Sequence, residues 1–529
     1  MVRRVGKLGA CLGIVAASNA CAVASVEEEP AARKSSDLYL TGHPRPNKMA
    51  RVCWDDAARQ RPDFAEQSVV MQSAANRMYT QATGLQFFDW GVCPAETAGV
   101  IVTTMLTNQQ SHCGTEDNQI GYVATKPTIC AISTGNVAIM HEYGHALGFA
   151  HEWQRADWTL TCRARATTGG NSLGTPANDS NSILAAMGYC TTKQRIDYWD
   201  VVGAQKVYGF PNMFADVSGD GKADALVVRA DGVYVRTANT ANTGFNTEVN
   251  WAPSGPRYGD KGTFLADVSG DAKSDLVLIN DTGVIVRRAN TSVAPPTFTS
   301  GSNYTGEPFW GTLETHVADV TGDCLADVIA INDTETYVRD AVLPPPFVEA
   351  GSFGPGWTLG PSRVGNFGHT VFANVSHPAA AKGCWADAIY IDTDGVWVAA
   401  SNGTTLSNPV KWINGGPTIR PIGYAMRAVL VDDVTQDGLA DIVEVGNDEI
   451  YVWRSLGNAF ADPPEVWNSQ GIGQVADRGA FLADVTNDLR ADLILVGPDR
   501  IRVAKSNGSA FPSYSFWTAT PYYGSQLMF

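Results

Sequence analysis

Beyond its first two dozen residues, the 529-residue sequence has no apolar run long enough to cross a bilayer. It also has no excess of positive charge, because 38 lysines and arginines stand against 54 aspartates and glutamates and give a formal net charge of -16 at pH 7. That balance argues against a nucleic-acid partner, whose phosphates would be repelled. The cysteines nowhere show C-x-x-C spacing, which disfavours a zinc site made of thiolates.

The first residues have the three parts of a secretory signal peptide. Basic residues at positions 3, 4 and 7 precede an apolar run over 8–17, and Ala22-Val23-Ala24 has the small-x-small pattern of a cleavage site. The sequence therefore predicts a signal peptide over residues 1–24 and a secreted, extracellular protein. Lipoprotein anchoring through Cys21 is the alternative, although the three residues before it lack the usual leucine.

The ten cysteines fit an oxidising compartment. Two lie in or beside the signal peptide, six lie between residues 48 and 210, and two, Cys324 and Cys384, lie later. Even numbers in each part predict disulfide bonds. Their connectivity stays open, with sequential pairing as the simplest arrangement.

The length of the chain predicts at least two domains. Residues 25–47 are polar and charged and indicate a linker or a short pro-segment, and we place a first domain at 48–210 and a second at 211–529. In the first domain, apolar residues at helical spacing predict a helix over 63–83 that ends at Gly84. Strands are predicted over 85–90 and 100–105, and a closing helix over 196–209.

Residues 141–152 read HEYGHALGFAHE and contain the pattern of a catalytic zinc site. His141 and His145 are four residues apart, so a helix places both on one face. Gly148 suits a left-handed helix end that turns the chain and brings in His151 as a third ligand. Glu142 would take a proton from a zinc-bound water. Surface histidines on a helix, or a zinc fold without activity, are the alternatives.

This motif resembles that of the metzincin metallopeptidases, and the glutamate directly after His151 is similar to the astacin branch. The resemblance implies a methionine turn, for which Met187 is the candidate, and a zinc-binding tyrosine, for which Tyr189 is the candidate. The pattern departs from astacins in that Ser182 lies five residues before Met187. A packed core tyrosine is the alternative for Tyr189. The resemblance predicts an α+β catalytic domain with one catalytic Zn²⁺ and a protein or peptide substrate.

The second domain repeats one unit six times. The copies begin at residues 216, 267, 319, 374, 433 and 484, so successive starts differ by 51, 52, 55, 59 and 51 residues. Each unit contains short strands around an acidic loop and resembles the FG-GAP or VCBS repeat. The resemblance implies an all-β propeller of six blades, with seven as the second choice.

The acidic loops have the spacing of a Ca²⁺-binding loop. Side-chain oxygens recur at positions 1, 3, 5 and 9 of each loop, and a backbone carbonyl at position 7 would complete the shell. Five copies predict several structural calcium ions, while the altered copy over 374–387 lacks the middle aspartate. Aspartates that only cap turns are the alternative. The predicted ligands are Asp216, Ser218, Asp220 and Asp224; Asp267, Ser269, Asp271 and Asp275; Asp319, Thr321, Asp323 and Asp327; Asp433, Thr435, Asp437 and Asp441; and Asp484, Thr486, Asp488 and Asp492.

Two functional hypotheses follow, beside a third possibility in which the propeller is only a calcium-bound spacer that holds the first domain away from a surface. The first is a secreted zinc endopeptidase whose calcium-binding propeller attaches to a substrate or a surface. The second is a secreted adhesin or lectin whose propeller is the active part and whose N-terminal domain is vestigial. A tryptophan recurs between the motifs, at Trp310, Trp357, Trp412 and Trp467. These side chains are either core packing or part of a surface for a glycan or protein ligand.

Overall fold

The structure is a computed structural model. It describes residue 45 and residues 48–105, 112–114, 122–132, 136–149, 198–311, 314–332, 336–342, 347–352, 370–378, 384–392, 395–414 and 426–524. The predicted signal peptide and most of the predicted linker lie outside these ranges. Among the described residues, no helix combines the length and the apolar character that crossing a membrane requires.

The N-terminal part contains a five-stranded mixed sheet with strand order β2-β1-β3-β5-β4. Strand β1 is parallel to β2 and β3, β3 is parallel to β5, and β4 is antiparallel to β5. The strands are β1 (Met49–Trp54), β2 (Gln86–Val92), β3 (Ile101–Met105), β4 (His112–Gly114) and β5 (Thr128–Ile132). The two strands predicted from the sequence correspond to β2 and β3.

The helices of this part are short. They are α1 (Asp56–Arg59), α2 (Phe64–Ala75), α3 (Gln81–Thr83), α4 (Asn136–Ala146) and α5 (Tyr198–Tyr208), and a π-helical turn (Asn76–Thr80) joins α2 to α3. The predicted helix over 63–83 is confirmed as this composite, which ends at Gly84 with a φ of 68°. The predicted closing helix corresponds to α5.

An aromatic core joins the helices to the sheet. Tyr79, Phe87, Tyr143 and Phe149 are buried and contact one another, with ring centroids 5.6 to 6.5 Å apart. The disulfide Cys53–Cys93 links the end of β1 to the segment after β2. Burial of these large apolar surfaces stabilises the packing of the helices on the sheet. We call the sheet β1–β5 with its helices the N-terminal layer.

A metzincin-like α+β catalytic domain is not supported by this fold. In the described ranges the five α-helices contain only 3 to 12 residues, and most elements of the chain are β-strands. The motif determines where two histidines lie on one helix, but it does not determine how the rest of the chain packs. The prediction of that domain type is therefore corrected here.

The C-terminal part is a propeller of six four-stranded antiparallel sheets, which confirms six blades. Blades 1 to 3 are β6 (Met213–Ala215), β7 (Asp224–Arg229), β8 (Gly232–Arg236) and β9 (Val249–Asn250); β10 (Gly262–Ala266), β11 (Asp275–Asn280), β12 (Gly283–Arg287) and β15 (Ser302–Asn303); and β16 (Glu314–Ala318), β17 (Asp327–Ile331), β18 (Thr336–Ala341) and β19 (Phe347–Ser352). A two-stranded ribbon, β13 (Ala289–Asn290) and β14 (Thr297–Phe298), accompanies blade 2.

Blades 4 to 6 follow the same order. They are β20 (Thr370–Ala373), β21 (Asp387–Asp392), β22 (Gly395–Ala399) and β23 (Val410–Asn414); β24 (Met426–Asp432), β25 (Asp441–Gly446), β26 (Ile450–Trp453) and β27 (Glu465–Asn468); and β28 (Ala480–Ala483), β29 (Asp492–Val496), β30 (Ile501–Ala504) and β31 (Tyr514–Phe516). A 3-10 turn (Ile472–Val475) precedes β28. Alternating Val, Ile and Leu on the second and third strands of each blade are buried between neighbouring blades.

A closed ring of backbone hydrogen bonds connects the blades. In each blade the second strand begins with a buried aspartate. The residue just before that aspartate donates its N–H to a backbone carbonyl of the preceding blade, namely that of the residue at which the preceding repeat begins. The N···O distances are 2.5 to 2.8 Å for Ala223–Asp484, Ser274–Asp216, Ala326–Asp267, Ala386–Asp319, Ala440–Asn374 and Ala491–Asp433. Because the first pair joins blade 1 to blade 6, the ring closes with six members.

The N-terminal layer contacts the propeller at the end where the first strands of blades 5 and 6 begin. The Met426 N–H donates to Ser73 Oγ (3.0 Å), and Gln81 exchanges two hydrogen bonds with the backbone of Ala480. The buried Arg478 donates to the Gly84 carbonyl (3.1 Å). The acidic loops follow the far ends of the same strands, so they lie at the opposite end of the propeller from this contact.

Candidate functional site

Helix α4 places two of the predicted zinc ligands together. The rings of His141 and His145 are 4.7 Å apart between centroids, and both side chains are buried. His145 Nδ1 lies 2.7 Å from the Phe149 carbonyl, which favours the tautomer that leaves Nε2 available to a metal. Burial lowers the pKa of His145 and so favours the neutral ligand form. Gly148, with a φ of 102°, follows the helix end as predicted.

Glu142 is fully buried beside these histidines. The remaining predicted residues of this site, His151, Met187 and Tyr189, lie outside the described residues. The structure therefore brings together His141, Glu142 and His145 and does not test the others.

Each acidic loop is shaped by two residues in the left-handed region. We number a loop from its first aspartate as position 1 to its last as position 9. Positions 4 and 6 have positive φ in all five regular loops, at Gly219 and Gly221, Gly270 and Ala272, Gly322 and Cys324, Gln436 and Gly438, and Asn487 and Leu489. This backbone turns N–H groups inward, where they form a concave nest around the first carboxylate.

The position-1 aspartate accepts these N–H groups in every regular loop. In the first loop Asp216 Oδ1 accepts from Gly219 N (2.6 Å), and Oδ2 accepts from Gly221 N (2.7 Å). The bond from position 6 recurs in the other four loops at 2.7 to 3.0 Å. The aspartate at position 1 therefore orders the loop. The carboxylate at position 5, by contrast, is exposed in the loops of blades 1, 2, 3 and 5.

The position-9 aspartates Asp224, Asp275, Asp327, Asp441 and Asp492 are fully buried. Each accepts, through Oδ1, the N–H of the residue 14 positions later, at the end of the third strand. Burial raises the pKa of Asp224 to about 7, and the charges of Asp216 and Asp220 add to the rise. Burial likewise raises the pKa of Asp441 to about 8. A divalent cation in the loop would favour the ionised form of these groups.

Two position-9 aspartates have an oxygen without a standard hydrogen bond. Oδ2 of Asp275 and Oδ2 of Asp492 are buried and accept no hydrogen bond of standard geometry, although the Ser269 hydroxyl and the Val485 N–H lie near enough to lower the respective pKa values. A buried carboxylate oxygen in this state has a strong requirement for a partner. A cation held by the loop would supply one.

In the described residues, the carboxylate groups of one acidic loop do not converge on a common point. Within the described residues, only Asp319, Cys324 and Cys384 bring three carboxylate, imidazole or cysteine groups within 4.8 Å of one another, and the two cysteines form a disulfide. In blades 2 and 6 a basic residue at position 7 also pairs with the position-5 carboxylate, as Lys273 does with Asp271 (2.7 Å) and Arg490 with Asp488 (2.7 Å). Cation binding would have to draw the carboxylates of a loop closer together.

The altered fourth loop, residues 374–387, contains a histidine, His377, that the regular acidic loops do not have. His377 Nε2 lies 3.3 Å from the buried Asp387 Oδ1 and 3.0 Å from the Ser401 carbonyl. Asn374 replaces the position-1 aspartate and holds the turn through His377 N (2.9 Å). The sequence indicated that the middle aspartate is missing here but not that His377 contacts the buried Asp387. Its position three residues after Asn374 was the available signal.

The tryptophans between the motifs pack mainly into the propeller. Trp467 is 3% exposed and contacts Phe511, while Trp412 is half-buried against Phe460. Trp310 is half-buried beneath the Lys261 ammonium. Trp357 lies outside the described residues. Core packing therefore accounts for the described members of this set.

No protein-family model matches the chain, and a search of curated proteins also gives no match. Among solved structures, the chain is similar to a lectin of Agrocybe aegerita described as recognising non-reducing terminal N-acetylglucosamine (TM-score 0.44, 22% identity, 60% of this chain and 83% of that chain). It is also similar to the Tc holotoxin pore of Photorhabdus luminescens (TM-score 0.37, 15% identity, 55% and 13%). A third similar structure is the Dos1 propeller (TM-score 0.27, 11% identity, 60% and 71%).

The metzincin resemblance and the zinc endopeptidase activity inferred from it are therefore wrong. The described chain is built mainly of propeller blades, and its five described α-helices are too few and too short for a metzincin-like catalytic domain. The physical reason is that the HExxH spacing concerns one turn of one helix, whereas a peptidase fold requires a particular packing of many elements. The propeller is the part of the molecule whose architecture was predicted correctly.

Proposed function

We propose that this chain is an exported binding protein whose six-bladed propeller is the active part, with calcium in its acidic loops and glycans as its ligand class. The observation that carries the proposal is the position of the loops. All five regular acidic loops lie at the end of the propeller opposite its contact with the N-terminal layer. That end is accessible in the described part of the chain.

The chemistry of this end suits sugar hydroxyls. Turns after the third strands lie beside the acidic loops and present amide and hydroxyl side chains, including Asn402 with Thr404 and Asn507 with Ser509. These groups donate and accept hydrogen bonds without charge. Together with carboxylate-bound calcium they provide the polar contacts through which a carbohydrate is oriented.

A glycan array tests this proposal with the full chain. We expect binding in millimolar calcium, including to N-acetylglucosamine termini among the sugars tested, and loss of that binding in EDTA. Binding that is equally strong in EDTA would contradict the role of calcium. No binding to any glycan in calcium would contradict the ligand class and favour a protein ligand or a spacer role.

We also propose that His141 and His145 hold one zinc ion without peptidase activity. Their paired rings and the hydrogen bond from His145 Nδ1 support this. Elemental analysis of the purified chain should give about one zinc per molecule, reduced in His145→Ala. Equal zinc content in the two proteins would refute it.

A further inference from the structure

One disulfide connects two neighbouring loops at the acidic-loop end of the propeller. Cys324–Cys384 joins position 6 of the third loop to the altered fourth loop and so links blades 3 and 4. Cys324 is exposed, and Cys384 is 7% exposed. In the other described disulfide, Cys53 is fully buried and Cys93 is half-buried. Cys324 is therefore the half of this disulfide that is exposed to solvent and to a reductant.

Backbone N–H groups at both ends of this disulfide donate to the same carboxylate oxygen. The Cys324 N–H donates to Asp319 Oδ2 (2.7 Å), and the N–H of Trp385, the residue after Cys384, donates to the same atom (3.3 Å). The two sulfurs and the Asp319 carboxylate lie within 4.8 Å of one another. The covalent link between blades therefore helps to fix Asp319, which is position 1 of a predicted calcium loop.

The disulfide also begins at a residue with an unfavourable backbone conformation. Cys324 has a φ of 68°, and this position is glycine in blades 1 and 5 but Ala272 (φ 60°) and Leu489 (φ 66°) in blades 2 and 6. A residue with a side chain is strained in this region. When the link is broken, blade 4 is no longer covalently tied to this loop, and the Trp385 N–H is free to leave Asp319 Oδ2.

We propose that Cys324–Cys384 is a redox modification site, open to dithiol reductants, whose state sets the calcium affinity of the blade 3 loop. This inference rests on the proposed calcium binding of the loops. Oxidised protein holds the loop ready for the cation, and reduced protein does not.

The chemistry is a thiol–disulfide exchange. A thiolate of the dithiol attacks Cys324 Sγ, the S–S bond breaks, and Cys384 leaves as a thiolate that takes up a proton. The second thiol of the reductant then attacks the mixed disulfide and releases Cys324. The two cysteines are reduced by two electrons, and the dithiol is oxidised to a cyclic disulfide.

Linkage makes the coupling reciprocal at equilibrium. If the disulfide raises calcium affinity, then calcium must favour the disulfide by the same factor. Rates need not follow, because calcium also neutralises carboxylates that repel an incoming thiolate. The test is therefore an equilibrium titration rather than a measurement of reduction rate.

The experiment titrates the full chain in buffers of oxidised and reduced dithiothreitol, in calcium and in EDTA, and quantifies each cysteine by alkylation and peptide mass spectrometry. We expect calcium to lower the equilibrium constant for reduction of Cys324–Cys384 about tenfold, which corresponds to roughly 30 mV for a two-electron couple. Cys53–Cys93 should not change. Asp319→Asn should abolish the calcium effect, and the matched variant Asp267→Asn in blade 2 should keep it.

Calcium calorimetry separates this inference from the function on which it rests. We expect the selectively reduced protein to bind one calcium fewer than the oxidised protein. Undiminished calcium binding after reduction, or an equal shift of both disulfides, overturns the redox inference and leaves calcium binding intact. Absence of calcium binding in the oxidised protein overturns both.

Discussion

Individual residues in the acidic loops adopt a conformation that glycine tolerates best. Position 6 is glycine in blades 1 and 5 but leucine in blade 6, where Leu489 has a φ of 66° and is 49% exposed. Its side chain is largely in solvent and gains little from packing. The strain at this residue is therefore nearly uncompensated by burial.

Leu489→Gly is expected to stabilise the protein by roughly 1 kcal/mol, because relief of the left-handed strain exceeds the entropic cost of glycine. Urea denaturation of the calcium-free protein measures the change. Leu456→Gly is the matched control, since Leu456 is 62% exposed and does not have a positive φ. That variant should be destabilised, and stabilisation of both variants would refute the explanation.

The sequence identified which residues of each loop are acidic, but it did not show that positions 1 and 9 have different structural roles. Positions 1 and 9 look equivalent in the sequence, yet Asp216 accepts N–H groups within its own loop whereas Asp224 is buried and also accepts from Ala238 in the third strand. The difference comes from the fold, because the strand that follows brings its end to position 9 alone. The role of either residue as a calcium ligand stays a prediction.

Each acidic loop, taken as an element, places an ionisable group in an apolar setting. In the unfolded chain an aspartate has a pKa of about 3.9. The folded protein raises the pKa of Asp224 to about 7 and that of Asp441 to about 8, mainly through burial. The folded state thus binds these protons more tightly than the unfolded state.

The sign of the resulting pH dependence follows from linkage. The contribution of these groups to stability is fully present below pH 4 and is lost as the pH rises through about 7 to 8. Bound calcium would stabilise the carboxylates and oppose this loss. We therefore expect the stabilisation by calcium, measured as the shift in urea midpoint relative to EDTA, to be larger at pH 8.5 than at pH 5.

Asp441→Asn provides the control for this prediction, because an amide does not titrate. In EDTA this variant should lose less stability than the unmodified chain between pH 5 and pH 8.5. An identical calcium effect at the two pH values would show that the position-9 groups are not linked to cation binding.

The whole propeller is closed by its C-terminal segment. Tyr522 is 1% exposed, and its hydroxyl lies 3.2 Å from the Ala225 carbonyl and 2.8 Å from the Tyr234 carbonyl in blade 1. Asn212 donates to the Tyr522 carbonyl (3.0 Å). This segment follows blade 6, so its contacts with blade 1 reinforce the hydrogen-bond ring at the point where the chain must join its own beginning.

Tyr522→Phe should lower the free energy of unfolding by about 1 kcal/mol, because the buried carbonyls lose their donor while the ring packing is retained. Thermal or urea denaturation in calcium measures this loss. Tyr523→Phe is the matched control, since the Tyr523 ring contacts the Arg478 guanidinium (3.7 Å) through its face and would keep that contact. An equal loss in both variants would argue against a special role of Tyr522 in closure.

The sequence by itself determined the six-fold repeat, the acidic loops and the helix that carries His141 and His145, because each depends on spacing within a few residues or on repetition. Two disulfides also follow the sequential pairing that was the simplest arrangement. Only the tertiary structure decided the closure of the ring, the burial of position 9, and the end of the propeller at which the loops lie. These features arise between residues far apart in the chain, and local pattern carries no information on which distant groups share a surface. For the same reason a twelve-residue metal motif led to the prediction of a peptidase fold that the described residues do not support.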